Sequence, residues 1–273
     1  MARSTPTTLA LPPFSGATRR IIFILLGVFF ADAILSHVLP DALYAAILTH
    51  LVLIPSDVLS GQIWQLGTYS FLPMGILGSL FALLTIWFVG AMLEDVRGSR
   101  WLYELFFTSA IGGAMLATLL SFTHLLGLSP LSIGMGCYAG IYGLLIAVAV
   151  LMGDIEFLLF FMVRVKAKYM VAIYILLDLA TLLKSSNAFE ALLHLSGALC
   201  GFLFLKFASR RGLTYGVTER YFALRNEFYR AKRRRAARKF EVYMSKQGRK
   251  VHFDKDGRYV DPDKDPTDKR WMN

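Results

Sequence analysis

The apolar blocks of this chain predict an all-α membrane protein with six transmembrane helices and a cytoplasmic C-terminal tail. Three observations carry that expectation. Hydrophobic residues make up 56% of the chain and charged residues 18%, where charged residues alone approach roughly a quarter of a soluble domain. Six nearly uncharged stretches approach the ~20 residues that cross a ~30 Å hydrocarbon core. Lys and Arg, finally, cluster in alternate connections between those stretches.

Residues 1–20 read as a cytoplasmic arm, a Ser/Thr/Pro-containing leader carrying Arg3, Arg19 and Arg20. The first block, 21–39, opens like a signal peptide, with Arg19-Arg20 before Ile21–Phe30 and Ala31-Asp32-Ala33 after it. Its apolar run continues to Leu39, however, and cleavage would leave five spans out of register with the loop charges, so it reads as a span. The apolar stretch 42–54 is too short to cross and reads as an interfacial or re-entrant segment before Trp64. Blocks 74–93 and 101–121 flank Arg97 and Arg100, and 133–152 is the fourth. The fifth, 168–183, is short and spans if it begins within Phe157–Val165 or tilts little. The sixth is 191–207.

No Lys or Arg lies between Arg20 and Arg97 or between Arg100 and Arg164, and Lys184 alone lies between spans five and six. Positive charge therefore alternates sides, which puts both termini in the cytoplasm and requires an even number of spans. The organisation that follows is an arm (1–20), a six-helix membrane domain (21–207) and a basic tail (208–273).

From Lys206 onward the chain holds 20 of its 29 basic residues and 9 of its 19 acidic ones, a net of +11. Residues 218–245 read as a helix with Tyr221, Leu224 and Phe228 beside the run Lys232-Arg233-Arg234-Arg235. Each basic residue near an anionic lipid surface is worth roughly 1 kcal/mol. With no nucleic-acid module in the chain, lipid is the expected partner of the tail and nucleic acid is not. Val251–Phe253 and Arg258–Val260 read as a small hairpin about Asp256-Gly257. Cys137 and Cys200 lie in apolar blocks and are too few for a disulfide framework or a metal centre, and no cofactor is expected.

Four motifs, in order, carry a resemblance. Gln62-Ile63-Trp64-Gln65-Leu66-Gly67-Thr68-Tyr69-Ser70-Phe71 precedes span two. Gly90, Glu94 and Gly98-Ser99 stand at its exit. Gly136-Cys137-Tyr138-Ala139-Gly140-Ile141-Tyr142-Gly143 opens span four, and His194, Gly197 and Gly201 ridge span six. Together, over residues 20–207, they resemble the rhomboid intramembrane serine proteases, with Gln65 where that family has Arg. The resemblance implies a serine–histidine dyad between spans four and six, and a facing glycine ridge at Gly136, Gly140 and Gly143 that lets helices approach closely. It also implies a structural role for the polar groups around Glu94.

That chemistry is degenerate here. Tyr138 stands at the serine position and His194 is retained. The family's oxyanion donors, a His and an Asn sixteen and twelve residues before the Glu, fall on Gly78 and Ala82, and no His or Asn occurs anywhere from 51 to 123. Losing one such donor costs about 10²–10³ in rate. A tyrosine of ordinary pKa near ~10 is no nucleophile for peptide bonds. Cys137 is the alternative nucleophile, but one residue of helix rotates it about 100° from Tyr138.

The expected reading is a pseudoprotease in which Tyr138 hydrogen-bonds His194 and ties span four to span six. It binds transmembrane segments of client proteins in a bacterial-type plasma membrane, because its loops are compact. The alternative is an active intramembrane endopeptidase using Cys137 or Ser132 with His194. Asp178, mid-way along span five, needs a partner of its own, as do Asp32 and Glu104.

Overall fold

The computed structural model describes residues 12–124, 127–159, 163–184, 188–208, 213–246, 248, 251–253 and 259–260. They belong to two compact units, Met1–Leu213 and Thr214–Asn273.

The first unit is a set of apolar helices. α1 (Gly16–Val38) leads to three short helices, α2 (Asp41–Leu51), α3 (Pro55–Leu59) and α4 (Gln65–Thr68), and a 3₁₀ turn at Tyr69–Phe71. A rod then runs from α5 (Gly75–Thr85) through a π turn (Ile86–Gly90) into α6 (Ala91–Arg97), followed by α7 (Ser99–Ser121). Beyond a loop come α8 (Tyr138–Leu151), α9 (Ala167–Lys184) and α10 (Ala188–Phe207). Four of these, Gly16–Val38, Gly75–Arg97, Ser99–Ser121 and Ala188–Phe207, are long and apolar enough to cross a bilayer. At 23 residues a helix is about 34 Å long, a little over the ~30 Å core. The chain is an all-α membrane protein.

Two blocks depart from expectation. The stretch 133–152 becomes helical only at Tyr138, leaving 14 residues, about 21 Å. Leu53 and Gly134 exchange backbone hydrogen bonds of 2.9 Å, holding the chain extended, and Gly136 takes φ +95°, a turn that glycine adopts without strain. The helix thus starts partway down the bundle. Within Phe157–Val165, one of the two ways by which 168–183 could gain the length to span, the chain instead pairs as antiparallel strands, β1 (Glu156–Leu159) with β2 (Val163–Lys166). Val163, Val165 and Phe157 favour the pleated ladder over a helix, and Asp154 accepts hydrogen bonds from Lys168 (2.9 Å) and Lys166 (3.5 Å) at the base. α9 therefore has 18 residues, with Lys168, Asp178 and Lys184 among them.

α7, α8 and α10 form the centre, and glycines set their spacing. A Cβ on Gly197 would lie 2.3 Å from the Ala139 carbonyl oxygen, one on Gly201 2.6 Å from the Gly143 Cα, and one on Gly113 2.8 Å from the Gly197 backbone. The α8 face toward α10 is thus Ala139 and Gly143. Gly140 faces the Phe106 ring and Gly143 the Ser109 side chain, both of α7, while Gly136 faces Met74, so the expected three-glycine ridge is divided between neighbours.

The outer helices are held more lightly. α1 buries side chains only between Ala17 and Leu25, while Phe30, Ile34 and Val38 point outward. α5 buries Ala82 alone, and α9 buries Ala167, Val171 and Leu182. Their exposed Leu, Ile and Phe suit lipid rather than water.

In the second unit α11 (Leu213–Lys246) runs for 34 residues. The expected hairpin is present as β3 (His252–Phe253) and β4 (Tyr259–Val260), with Phe253 against Phe240 of α11 at 6.2 Å. Its turn, at Asp254–Arg258, lies outside the described residues.

Candidate functional site

The helices are fixed around the site by polar anchors, some buried and some half-buried. Glu94, in α6, accepts hydrogen bonds from the Ala17 N–H (2.6 Å), the Thr18 N–H (3.0 Å), the Thr18 hydroxyl (2.7 Å) and the Ser99 hydroxyl. One carboxylate therefore caps the start of α1, where N–H groups have no helical partner, and pins it to the α6–α7 turn. This is the structural role expected of the motif. Gly16, which sequence reasoning passed over, makes it possible: with φ +61°, its missing side chain leaves the space that the Glu94 carboxylate fills.

Gln65 organises the segment before α5. Fully buried, it accepts from the Ile54 N–H (3.0 Å) and donates to the Thr49 carbonyl (3.2 Å). The buried Tyr69 donates to the Ala110 carbonyl of α7 at 2.7 Å, and its own carbonyl accepts from the Gly136 N–H at 2.9 Å. These bonds seat the turn that delivers Tyr138 to the top of α8.

Tyr138 meets both Gly78 and His194, though in a different pairing from the expected one. The Tyr138 hydroxyl donates to the Gly78 carbonyl at 2.9 Å. Its ring stands 5.4 Å from the His194 ring, tilted by 43°. The hydrogen bond thus ties α8 to α5 rather than to α10. A tyrosine reaches farther from its backbone than a serine would, and the first turn of α5 offers it a carbonyl on a residue with no side chain in the way. Tyr142, one helical turn on, stacks on His194 at 5.1 Å and 21°. The i, i+4 spacing of Tyr138 and Tyr142 was the signal that both share this face.

Asp178 of α9 completes the cluster. Its Oδ2 lies 3.3 Å from His194 Nδ1, with both side chains largely buried. The contact lacks hydrogen-bond geometry, and each atom is shielded without another partner. Asp178 thus finds its neighbour in His194. Of the other polar groups, Asp32 accepts from the Tyr44 hydroxyl at 2.9 Å, and Glu104 pairs with Arg100 at 3.3 Å.

Tyr138, Tyr142, Asp178 and His194 line one cleft of about 490 Å³. Phe81, Leu84 and Phe88 of the α5 rod wall one side, and Met170 and Tyr174 of α9 the other. α9 packs on α8 and α10, leaving the α5 side open. Cys137 faces elsewhere: it is buried just before α8, in a crevice with Leu25, Phe29 and Ala82 that His194 does not reach. Ser132 lies in the loop ahead, its N–H bonded to the Ser129 carbonyl at 3.0 Å. Around His194 there are aromatic rings and a carboxylate, groups suited to binding and packing. Among the described residues no cluster of three or more His, Cys, Asp and Glu is placed to hold a metal ion.

A family model described as eukaryotic integral membrane protein (DUF1751) matches residues 20–241, most of the first unit and the greater part of α11. No curated protein matches the chain.

Proposed function

The chain belongs to this eukaryotic integral membrane family, and from that membership, the order of its helices and the cleft between α5 and α9 we propose that it is a rhomboid-like pseudoprotease that holds transmembrane segments of client proteins. The cleft is the observation that carries the reading. It opens between the α5 rod and α9, with apolar walls beside the polar groups of Tyr138, Tyr142, Asp178 and His194. In this reading α8 and α9 join the four longer helices as spans, six in all, and the alternating loop charges leave both ends in the cytoplasm. The family's eukaryotic description favours a eukaryotic membrane over the bacterial-type plasma membrane suggested by the compact loops.

Tyr138 stands where such a protease would carry its nucleophile, with its hydroxyl spent on the Gly78 carbonyl. Gly78 and Ala82 bring no side-chain donor to an oxyanion. The tail is the lipid-facing element: Lys232, Arg233, Arg235, Arg238 and Lys239 are exposed along α11 and suit an anionic surface.

The test uses purified protein in lipid with a fluorogenic transmembrane substrate. Wild type, Tyr138→Ser and His194→Ala are all expected to leave it uncut while a labelled transmembrane peptide associates with each. Filling the cleft with Leu84→Trp is expected to weaken that association about tenfold, or ~1.4 kcal/mol. Cleavage by wild type that disappears in His194→Ala overturns the loss of protease activity. Association indifferent to Leu84→Trp overturns the cleft.

A further inference from the structure

Asp178 presents its carboxylate to the cleft. The Tyr142 hydroxyl bears on that carboxylate, while its Oδ2 is shielded from solvent without a hydrogen bond, with His194 Nδ1 at 3.3 Å off hydrogen-bond geometry. Among the described residues that line the cleft none is a Lys or Arg, so no fixed cation there answers the carboxylate. Met170, Tyr174 and Asp178 follow one another at i, i+4 and i+8 on the same face of α9, so the carboxylate stands below a thioether and a phenol ring. Tyr138, Tyr142 and Tyr174 add aromatic rings around that position, surfaces to which a cation is attracted.

Depth decides how an occupant arrives. Asp178 is the twelfth residue of the 18 in α9, about 16 Å along the helix from its start. The exposed residues around it on α9 are Ile173, Leu176, Leu177 and Leu179. A ligand reaches the carboxylate sideways through hydrocarbon, past apolar walls that a leucine-rich helix matches and a free hydrophilic cation does not. A basic residue within a transmembrane segment has the complementary problem, a charge at membrane depth without a partner.

Resting on the client-binding reading above, we propose that the cleft selects transmembrane segments that carry a lysine or arginine at mid-depth, with Asp178 as the residue that reads the charge. The apolar walls hold the helix, and the carboxylate chooses among helices.

The test reconstitutes the full chain in phosphatidylglycerol and, separately, phosphatidylcholine vesicles and measures energy transfer to single-span Leu/Ala peptides with Leu, Lys or Glu at the centre. Wild type is expected to bind the Lys peptide at least tenfold more tightly than the Leu peptide and to bind the Glu peptide least. Asp178→Asn, which keeps the side-chain shape, is expected to bind Lys and Leu peptides equally, with an unchanged melting temperature as the check on folding. Asp178→Lys is expected to favour the Glu peptide. Equal binding of Lys and Leu peptides by wild type overturns this proposal and leaves client binding standing. No binding of any peptide overturns both. A Lys preference present in phosphatidylglycerol and lost in phosphatidylcholine assigns the cavity to a choline headgroup, and overturns the proposal.

Discussion

Tyr138 shows how far one side chain can redirect a site. Its phenol lines the cleft and satisfies its hydroxyl on a backbone carbonyl, so the polar atom is neither free nor aimed at His194. Tyr138→Phe keeps the ring and removes the bond, and the expected loss is about 1 kcal/mol. Thermal unfolding in detergent reads it. The same loss is expected in a His194→Ala background, because the partner is Gly78. A smaller loss there would mean that the hydroxyl leans on the histidine after all. The motif made Tyr138 and His194 neighbours in sequence reasoning. It could not name the partner, because every residue carries a carbonyl and only the approach of α5 exposes this one.

The contacts among α7, α8 and α10 follow the same logic one level up. Helices in lipid gain little from burying apolar surface against each other, so close backbone approach is what holds them. Gly197 touches both Ala139 and Gly113, and adding a methyl there forces α8 or α7 outward. Gly197→Ala is expected to cost about 1–3 kcal/mol as an overpacked site. Gly27→Ala, in α1 with nothing within 4 Å of a new Cβ, is expected to be neutral or to stabilise by up to ~1 kcal/mol through helix propensity. Unfolding of the two variants in the same detergent separates them, and equal effects would remove the close-approach account. Small-residue spacing announced a ridge. Which glycine faced which helix depended on the late start of α8, and that start depended on the bridge between Leu53 and Gly134, partners far apart in sequence.

Across the bundle, one carboxylate joins the first helix to the rest. Glu94 receives bonds from α1 and α7 at once, so loosening it should free the N-terminal helix rather than melt the core. Glu94→Gln retains a single acceptor oxygen and loses the charge; a cost of about 2 kcal/mol is expected. Trypsin should then cut at Arg19 or Arg20 faster than in wild type, with the fragment from Ile21 onward persisting. Unchanged cutting would show that α1 is held elsewhere. The cleft lies between the α5 rod and α9, beside the central trio of α7, α8 and α10.

Composition, block length and loop charge were enough to establish that this is a helical membrane protein, because hydrocarbon tolerates little besides helices and penalises charge wherever it enters. Motif order singled out Tyr138, Gly78 and His194, and Tyr138 touches each of the other two. The hairpin at Glu156–Lys166, the divided glycine faces and the Asp178–His194 contact came from the folded chain. Each depends on where one helix begins or on which backbone atom comes within reach, and such distances are set by packing between segments remote in sequence, which residue spacing along one segment does not encode.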